Sequence, residues 1–281
     1  MRFPSDPRVI SPRRRLSQNF LVNPTIAARI AAAVEAQPGD VVIEIGAGTG
    51  ALTQHLLALP VQEVIAIEVD RRAIEQLQKA FSGCPTLRIV EANVLDLRLE
   101  GLGIVRTMPA RVVGNIPYHL TGPILFWLYE QAESLRRIVL MVQKEVATRI
   151  VARPGTKAYG ILSVATALIA TQARILFDVP PGAFYPQPQV TSAVVAIECN
   201  GSSLVDPQHA QTMALTKVAF NQRRKKLRNA LARFLQQHCG TQWEQLAALP
   251  VMGRRAEELS PQELAALASD VYRFAKSEWQ P

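Results

Sequence analysis

The sequence predicts an α/β fold, with a parallel sheet covered by helices on both faces and a small helical domain after it. Three observations carry this. Short apolar runs alternate with helical stretches, a glycine-rich turn follows the first such run, and strand-like patterning stops near residue 206.

Residues 1–22 form a basic arm, in which Arg2, Arg8, Arg13, Arg14 and Arg15 face a single acid, Asp6. Asn23 and Pro24 read as an N-cap and first helical residue. Ile26, Ile30 and Val34 then give an apolar helical stripe, which Pro38-Gly39 ends. The first strand, 41–45, runs into Gly46-Ala47-Gly48-Thr49-Gly50 and a helix carrying Leu52, Leu56 and Leu57. A strand at 64–69 and a helix at 71–81 follow, and further strands are expected at 87–90, 111–113, 138–142, 173–177 and 193–197. Asn200-Gly201-Ser202-Ser203 reads as a linker. The expected organisation is an arm over 1–22, a catalytic domain over 23–204 and a helical domain over 205–281.

The chain has 281 residues, 48% of them hydrophobic, enough for one sizeable core and a smaller second one. Its longest weakly polar run falls far short of the roughly 20 residues of a membrane helix, so no membrane partner is expected. The N-terminus lacks the apolar stretch of a secretory signal. Cys84, Cys199 and Cys239 are spaced unlike a zinc or redox motif, so a cytoplasmic protein with no structural metal is expected, and nothing demands more than a monomer.

The formal net charge of +8 suits a nucleic-acid partner, although a basic surface tuned for solubility gives the same sum. Its distribution says more. Residues 212–235 hold Lys217, Arg223, Arg224, Lys225, Lys226, Arg228 and Arg233 with no acid. Acid-free blocks look like phosphate-contacting surfaces, so Arg223, Arg224, Lys225 and Lys226 are candidate substrate contacts. A basic helix face turned to solvent is the alternative.

Glu44-Ile45-Gly46-Ala47-Gly48-Thr49-Gly50 sits where a strand ends and a helix opens, so Gly46 and Gly48 can turn tightly and let a ligand approach the main chain. A dinucleotide loop is the competing reading, but its spacing is G-x-G-x-x-G, and here it is G-x-G-x-G. Glu68 ends the next strand, where a carboxylate can accept both hydroxyls of a ribose; a surface glutamate is the plain alternative. Asn93 follows the third strand, where a side chain can meet an adenine edge. The three strand ends together describe a pocket for an adenosine bearing a sulfonium tail, as in S-adenosylmethionine.

Asn115-Ile116-Pro117-Tyr118 follows the fourth strand, beside the same pocket. An adenine N6 amine is a poor nucleophile because its lone pair is delocalised into the ring. The Asn115 side-chain oxygen and the adjacent backbone carbonyl can accept both amine hydrogens, which favours a pyramidal nitrogen. Pro117 fixes φ and with it the carbonyl direction. Tyr118 offers a ring on which a base can stack. A strand-ending turn with a buried tyrosine is the structural alternative.

Many segments then match one family in order: Ser17-Gln18-Asn19-Phe20-Leu21, the glycine loop, Asn115-Ile116-Pro117-Tyr118, Pro154-Gly155-Thr156-Lys157 and Tyr159-Gly160. Phe184-Tyr185-Pro186-Gln187-Pro188-Gln189-Val190, Ser192-Ala193-Val194-Val195, Phe220-Asn221-Gln222-Arg223-Arg224-Lys225-Lys226-Leu227 and Arg255-Ala256-Glu257-Glu258-Leu259-Ser260 complete the set. On these the chain resembles the small-subunit ribosomal RNA adenine N6,N6-dimethyltransferases. The resemblance implies a Rossmann-like S-adenosylmethionine methyltransferase sheet. It implies that Asn19, Leu21, Gly46, Glu68, Asn93 and Asn115 contact the cofactor, and that Asn115 and Tyr118 hold the target base. Phe184 is implied on the base's other side, although an ordinary core residue is the default reading there. The implied substrate is a pair of adjacent adenosines in a hairpin loop near the 3′ end of 16S ribosomal RNA, in the small ribosomal subunit.

The sequence departs from the family pattern in three places: Asn93 stands where aspartate is usual, His119 where asparagine is frequent, and Gln189-Val190-Thr191 where lysine and aspartate are common. The first implies weaker cofactor binding. Alternatives are a macrolide-resistance methyltransferase of the large subunit and a non-catalytic assembly factor binding through the basic blocks. A nicotinamide dehydrogenase is disfavoured by the glycine spacing.

Overall fold

The computed structural model describes residues 19–274, the side chain of Thr241 excepted, so the arginines of the basic arm lie outside the described residues. The chain forms two compact units. One joins the described residues up to Ala147 with Thr171–Gly201; the other joins Thr148–Ala170 with the described residues from Ser202 onward.

The first unit is built on β1 (Val41–Ile45), β2 (Glu63–Glu68), β3 (Leu87–Glu91), β4 (Ala110–Asn115), β5 (Leu135–Gln143), β6 (Ala170–Val179) and β7 (Ser192–Cys199). Their spatial order is β3-β2-β1-β4-β5-β7-β6. The pairings among β1 to β5 are parallel, and β7 runs antiparallel to β5. The sheet is therefore mixed, which corrects the expected all-parallel one. Apolar periodicity reports burial and carries no direction. The position of β7 does agree with its composition: Ser192 to Ile197 are all buried, as in an internal strand, whereas edge strand β6 exposes Thr171, Gln172 and Arg174 in part or whole.

Strand order reverses about β1, whose neighbours are β2 and β4, and this leaves a crevice at the carboxyl ends of the strands. Helix α1 (Pro24–Ala33) ties the chain before it to that crevice. Asn23 caps it, accepting the Ile26 N–H at 3.1 Å, and Ala27, Ile30 and Ala31 are buried against the sheet core. Its last carbonyls are satisfied from the strands: Arg137 Nε donates to the Ala33 carbonyl at 2.9 Å and Arg111 Nη1 to that of Val34 at 3.1 Å. Ahead of it, Phe20–Leu21 pairs antiparallel with Phe184–Tyr185. Helices α2 (Thr53–Leu56), α3 (Arg71–Ala80), α4 (Thr121–Tyr129) and α5 (Lys144–Ile150) follow β1, β2, β4 and β5.

The second unit contains α6 (Ile161–Ile169), α7 (Pro207–Asn221), α8 (Leu227–Ala230), α9 (Ala232–Cys239), α10 (Trp243–Ala247) and α11 (Pro261–Phe274). The boundary expected after residue 204 falls after Gly201, and Thr148–Ala170, expected within the catalytic domain, groups with the C-terminal helices. The cause is packing. Val164, Ala165, Leu168 and Ile169 of α6 are buried, and α6 contacts α7 and α11. Tyr159 locks the segment further, donating its hydroxyl to the Leu259 carbonyl at 2.9 Å and meeting Phe220 edge-on at 5.9 Å.

Candidate active site

The loop after β1 turns through three left-handed glycines, Gly46 (φ 73°), Gly48 (φ 54°) and Gly50 (φ 83°). At Gly48 the requirement is double, because a Cβ there would also lie 3.3 Å from the Phe20 ring. Glu68, at the end of β2, braces this loop. Its Oε2 accepts the Gly48 N–H at 2.8 Å, and its Oε1 accepts those of Val69 and Asp70 at 2.8 and 2.9 Å. The carboxylate is 7% exposed and lines a cavity at the strand ends. It therefore holds its own loop in shape, and Oε2, with one partner, keeps acceptor capacity for an added hydroxyl.

Behind the loop lies Glu44, a residue the sequence reading quoted in the motif without assigning it a role. It is 1% exposed and accepts the Thr53 hydroxyl at 2.6 Å. Burial raises its carboxyl to about 7 and the charge of Glu68 adds to that, while the Thr53 bond opposes it.

Asn93 lines the cavity from the end of β3, but its amide is engaged locally. The side-chain oxygen accepts the Leu95 N–H at 3.3 Å, and Nδ2 donates to Asp96 Oδ2 at 3.2 Å. Asn115 ends β4 and donates Nδ2 to the Asn19 carbonyl at 2.9 Å. That carbonyl engages one of the two Nδ2 hydrogens and restrains the amide, and Asn115 lines the cavity. Gly114, just before it, was not anticipated; a Cβ there would lie 2.7 Å from the Ile45 carbonyl, so glycine lets β4 approach β1 beneath the site. Pro117 (φ −58°, ψ 135°) leads into a single 3₁₀ turn, Tyr118–Leu120. Tyr118 is half-buried, its hydroxyl paired with Ser192 Oγ at 2.7 Å, and burial pushes its phenol above the usual value.

Asn19, Gly46, Gly48, Glu68, Asn93, Asn115, Pro117 and Tyr118 are thus brought to one cavity, together with Phe20, Ile67, Val69 and Ile116, which supply apolar wall. Val69 is the clearest signal that went unread, an apolar side chain 53% exposed directly after a strand-ending glutamate. Two expected residues are elsewhere. Leu21 is 4% exposed and Phe184 2% exposed; they pair across the short ribbon and sit in the core around α1, outside the cavity lining. Phe184 is a core residue in this arrangement because the ribbon turns alternate side chains to opposite faces.

The basic block lies in the second unit, and its members differ. Arg224, Lys225 and Lys226 are exposed. Arg223 is committed inside the unit, its Nε 2.5 Å from Glu257 Oε2 and its Nη2 3.0 Å from the Thr156 carbonyl. The Gly155 N–H donates to the Glu257 carbonyl at 2.7 Å, so Arg223 and Glu257 together hold the loop carrying exposed Arg153 and Lys157.

Comparison with known proteins bears on the family and the fold. The family described as Ribosomal RNA adenine dimethylase matches residues 10–259. The chain is 43% identical over 264 residues to Ribosomal RNA small subunit methyltransferase A of Desulfitobacterium hafniense, with 92% of each chain covered. Among solved structures, a dimethyladenosine transferase from Plasmodium falciparum superimposes with a TM-score of 0.76 at 24% identity, covering 90% of this chain and 98% of that one. The 23S rRNA methyltransferase ErmE follows at 0.66 and 23%, with 90% and 100% covered. At these identities the two structures speak to fold alone. Among the described residues, no helix is long and apolar enough to cross a membrane.

Proposed function

Since the chain belongs to the ribosomal RNA adenine dimethylase family, we propose that it dimethylates N6 of two adjacent adenosines in a 3′-terminal hairpin loop of 16S ribosomal RNA. It acts as a cytoplasmic monomer on the small ribosomal subunit, with a part in ribosome biogenesis. The methyl donor is S-adenosylmethionine, which supplies an electrophilic methyl group on a sulfonium.

The cavity residues fit that cofactor. Gly46 and Gly48 open the backbone at the strand end, buried Glu68 meets the hydroxyls of a ribose, and Val69, Ile67 and Ile116 give apolar wall for an adenine. Asn93 adds a polar edge and Asn19 a backbone rim.

The observation that carries the reading is the fixed amide of Asn115. With one Nδ2 hydrogen held by the Asn19 carbonyl, Oδ1 of this cavity-lining residue is the acceptor offered to a substrate. It accepts one hydrogen of the target amine, and the Ile116-Pro117 backbone, stiffened by proline, offers a carbonyl for the other. Both bonds favour a pyramidal nitrogen with its lone pair free. Tyr118 stacks on the base. The methylated amine is acidic and loses its proton to solvent, so positioning and electrostatics carry the reaction. Arg224, Lys225 and Lys226 contact RNA phosphates.

The test is transfer of labelled methyl groups from S-adenosylmethionine to small and large subunits lacking the modification, with the modified positions mapped. Close to four methyls on two adjacent adenosines of the small subunit are expected; label on the large subunit would move the chain to the resistance-type reading.

A further inference from the structure

Parallel strands bring their last residues to the crevice, which is how Glu68 and Asn115 reach it. An antiparallel strand must bring its first. β7 is antiparallel to β5, and its first residue, Ser192, pairs with Gln143 at the carboxyl end of β5, two positions beyond the pair formed by Asn115 and Met141. Ser192 is 0% exposed at the head of a run of apolar residues, an unfavourable place for a hydroxyl unless it is bonded. Its partner is the Tyr118 hydroxyl, 2.7 Å away across 74 residues of chain.

Tyr118 needs an anchor. It stands at the start of the 3₁₀ turn that leads from Pro117 into α4, its side chain has two rotatable bonds, and it lines the cavity. A tyrosine held at its backbone and again at its far oxygen presents its ring in one orientation. We infer that Ser192 is a positioning residue for the methyl-transfer site, fixing the Tyr118 ring plane on which the target adenine stacks. Ser192 touches neither base nor cofactor; it acts through the ring. This rests on the adenine-methylation reading above.

The experiment is steady-state methylation of unmodified small subunits by the full chain and by Ser192→Ala, Tyr118→Phe, the double variant and Ser192→Thr, with cofactor Kd and melting temperature measured alongside. Ser192→Ala and Tyr118→Phe are each expected to lower kcat roughly 10-fold while KM and cofactor Kd stay within about 2-fold, because the loss is of orientation rather than of binding. The double variant is expected to be no slower than either single one, and Ser192→Thr, which restores a hydroxyl, to recover most of kcat. An unaltered kcat in Ser192→Ala, multiplied losses in the double variant, or a loss in Tyr118→Phe that is matched by KM would overturn the proposal. If the unaltered chain methylates no adenosine, the underlying reading fails first and takes this proposal with it.

Discussion

Asn115 Nδ2 lies 2.9 Å from the backbone carbonyl of Asn19, joining residues 96 positions apart at the mouth of one cavity. This bond restrains the amide, so the orientation of Asn115 depends on a segment that precedes the sheet altogether.

Asn115→Asp tests that dependence. A carboxylate cannot donate to the Asn19 carbonyl and would face it with like polarity. Single-turnover methyl transfer is expected to fall about 100-fold or more, in line with removal of an oriented acceptor in a transition state. Transfer at the unaltered rate would show that the orientation of this amide is irrelevant.

Asn93 gives a second prediction, and here the structure changes the expectation drawn from sequence. Replacing it with the family's usual aspartate would set two carboxylates about as close as Nδ2 and Asp96 now stand, 3.2 Å. Repulsion offsets any gain in charge toward the cofactor. Asn93→Asp is therefore expected to leave cofactor Kd within about 2-fold, and Asn93→Asp with Asp96→Asn to tighten it by about 1 kcal/mol. Calorimetric titration decides; tightening in the single variant would mean that Asp96 does not control this side chain.

Glu44 predicts a pH dependence. Its folded carboxyl, at about 7, lies above the ordinary value of 4.5, so between those limits the folded chain holds a proton that the unfolded chain has released. Stability therefore falls as pH climbs through that window. Glu44→Gln keeps an acceptor for Thr53 and removes the titration. The stability lost between about pH 5 and about pH 8 is expected to shrink by roughly 1–2 kcal/mol, read from denaturation midpoints. Superimposable pH profiles would place the Glu44 carboxyl in the ordinary range.

The basic block should divide into two kinds of residue. Reversing Arg224, Lys225 and Lys226 to glutamate is expected to lower the slope of log affinity against log salt by about 2 to 3. Arg223→Gln should leave that slope nearly unchanged and lower the melting temperature, since its partners are Glu257 and the Thr156 carbonyl. The ion pair is partly exposed, so the stability lost is about 1 kcal/mol. A slope shift in Arg223→Gln equal to that of its neighbours would place it on the RNA instead.

Local chemistry made much of the site legible. Asn23-Pro24 announced α1, the glycines announced the turn after β1, and Glu68, Asn93 and Asn115 could be placed at strand ends because each closes an apolar run. These signals lie within a few residues of the structure they specify. Phe184 and Leu21 were less legible, because an aromatic or leucine beside a site reads the same whether it faces ligand or core.

The sequence by itself determined the α/β class, the crevice position, the family and most of the polar residues that reach the cavity. Only the tertiary structure decided that β7 runs antiparallel, that Thr148–Ala170 belongs with the later helices, that Arg223 is committed to Glu257, and that Ser192 meets Tyr118. The physical reason is common to all four. Periodicity and capping are set by neighbours along the chain, whereas strand direction and hydrogen-bond partners are chosen among groups that meet only after long loops have closed.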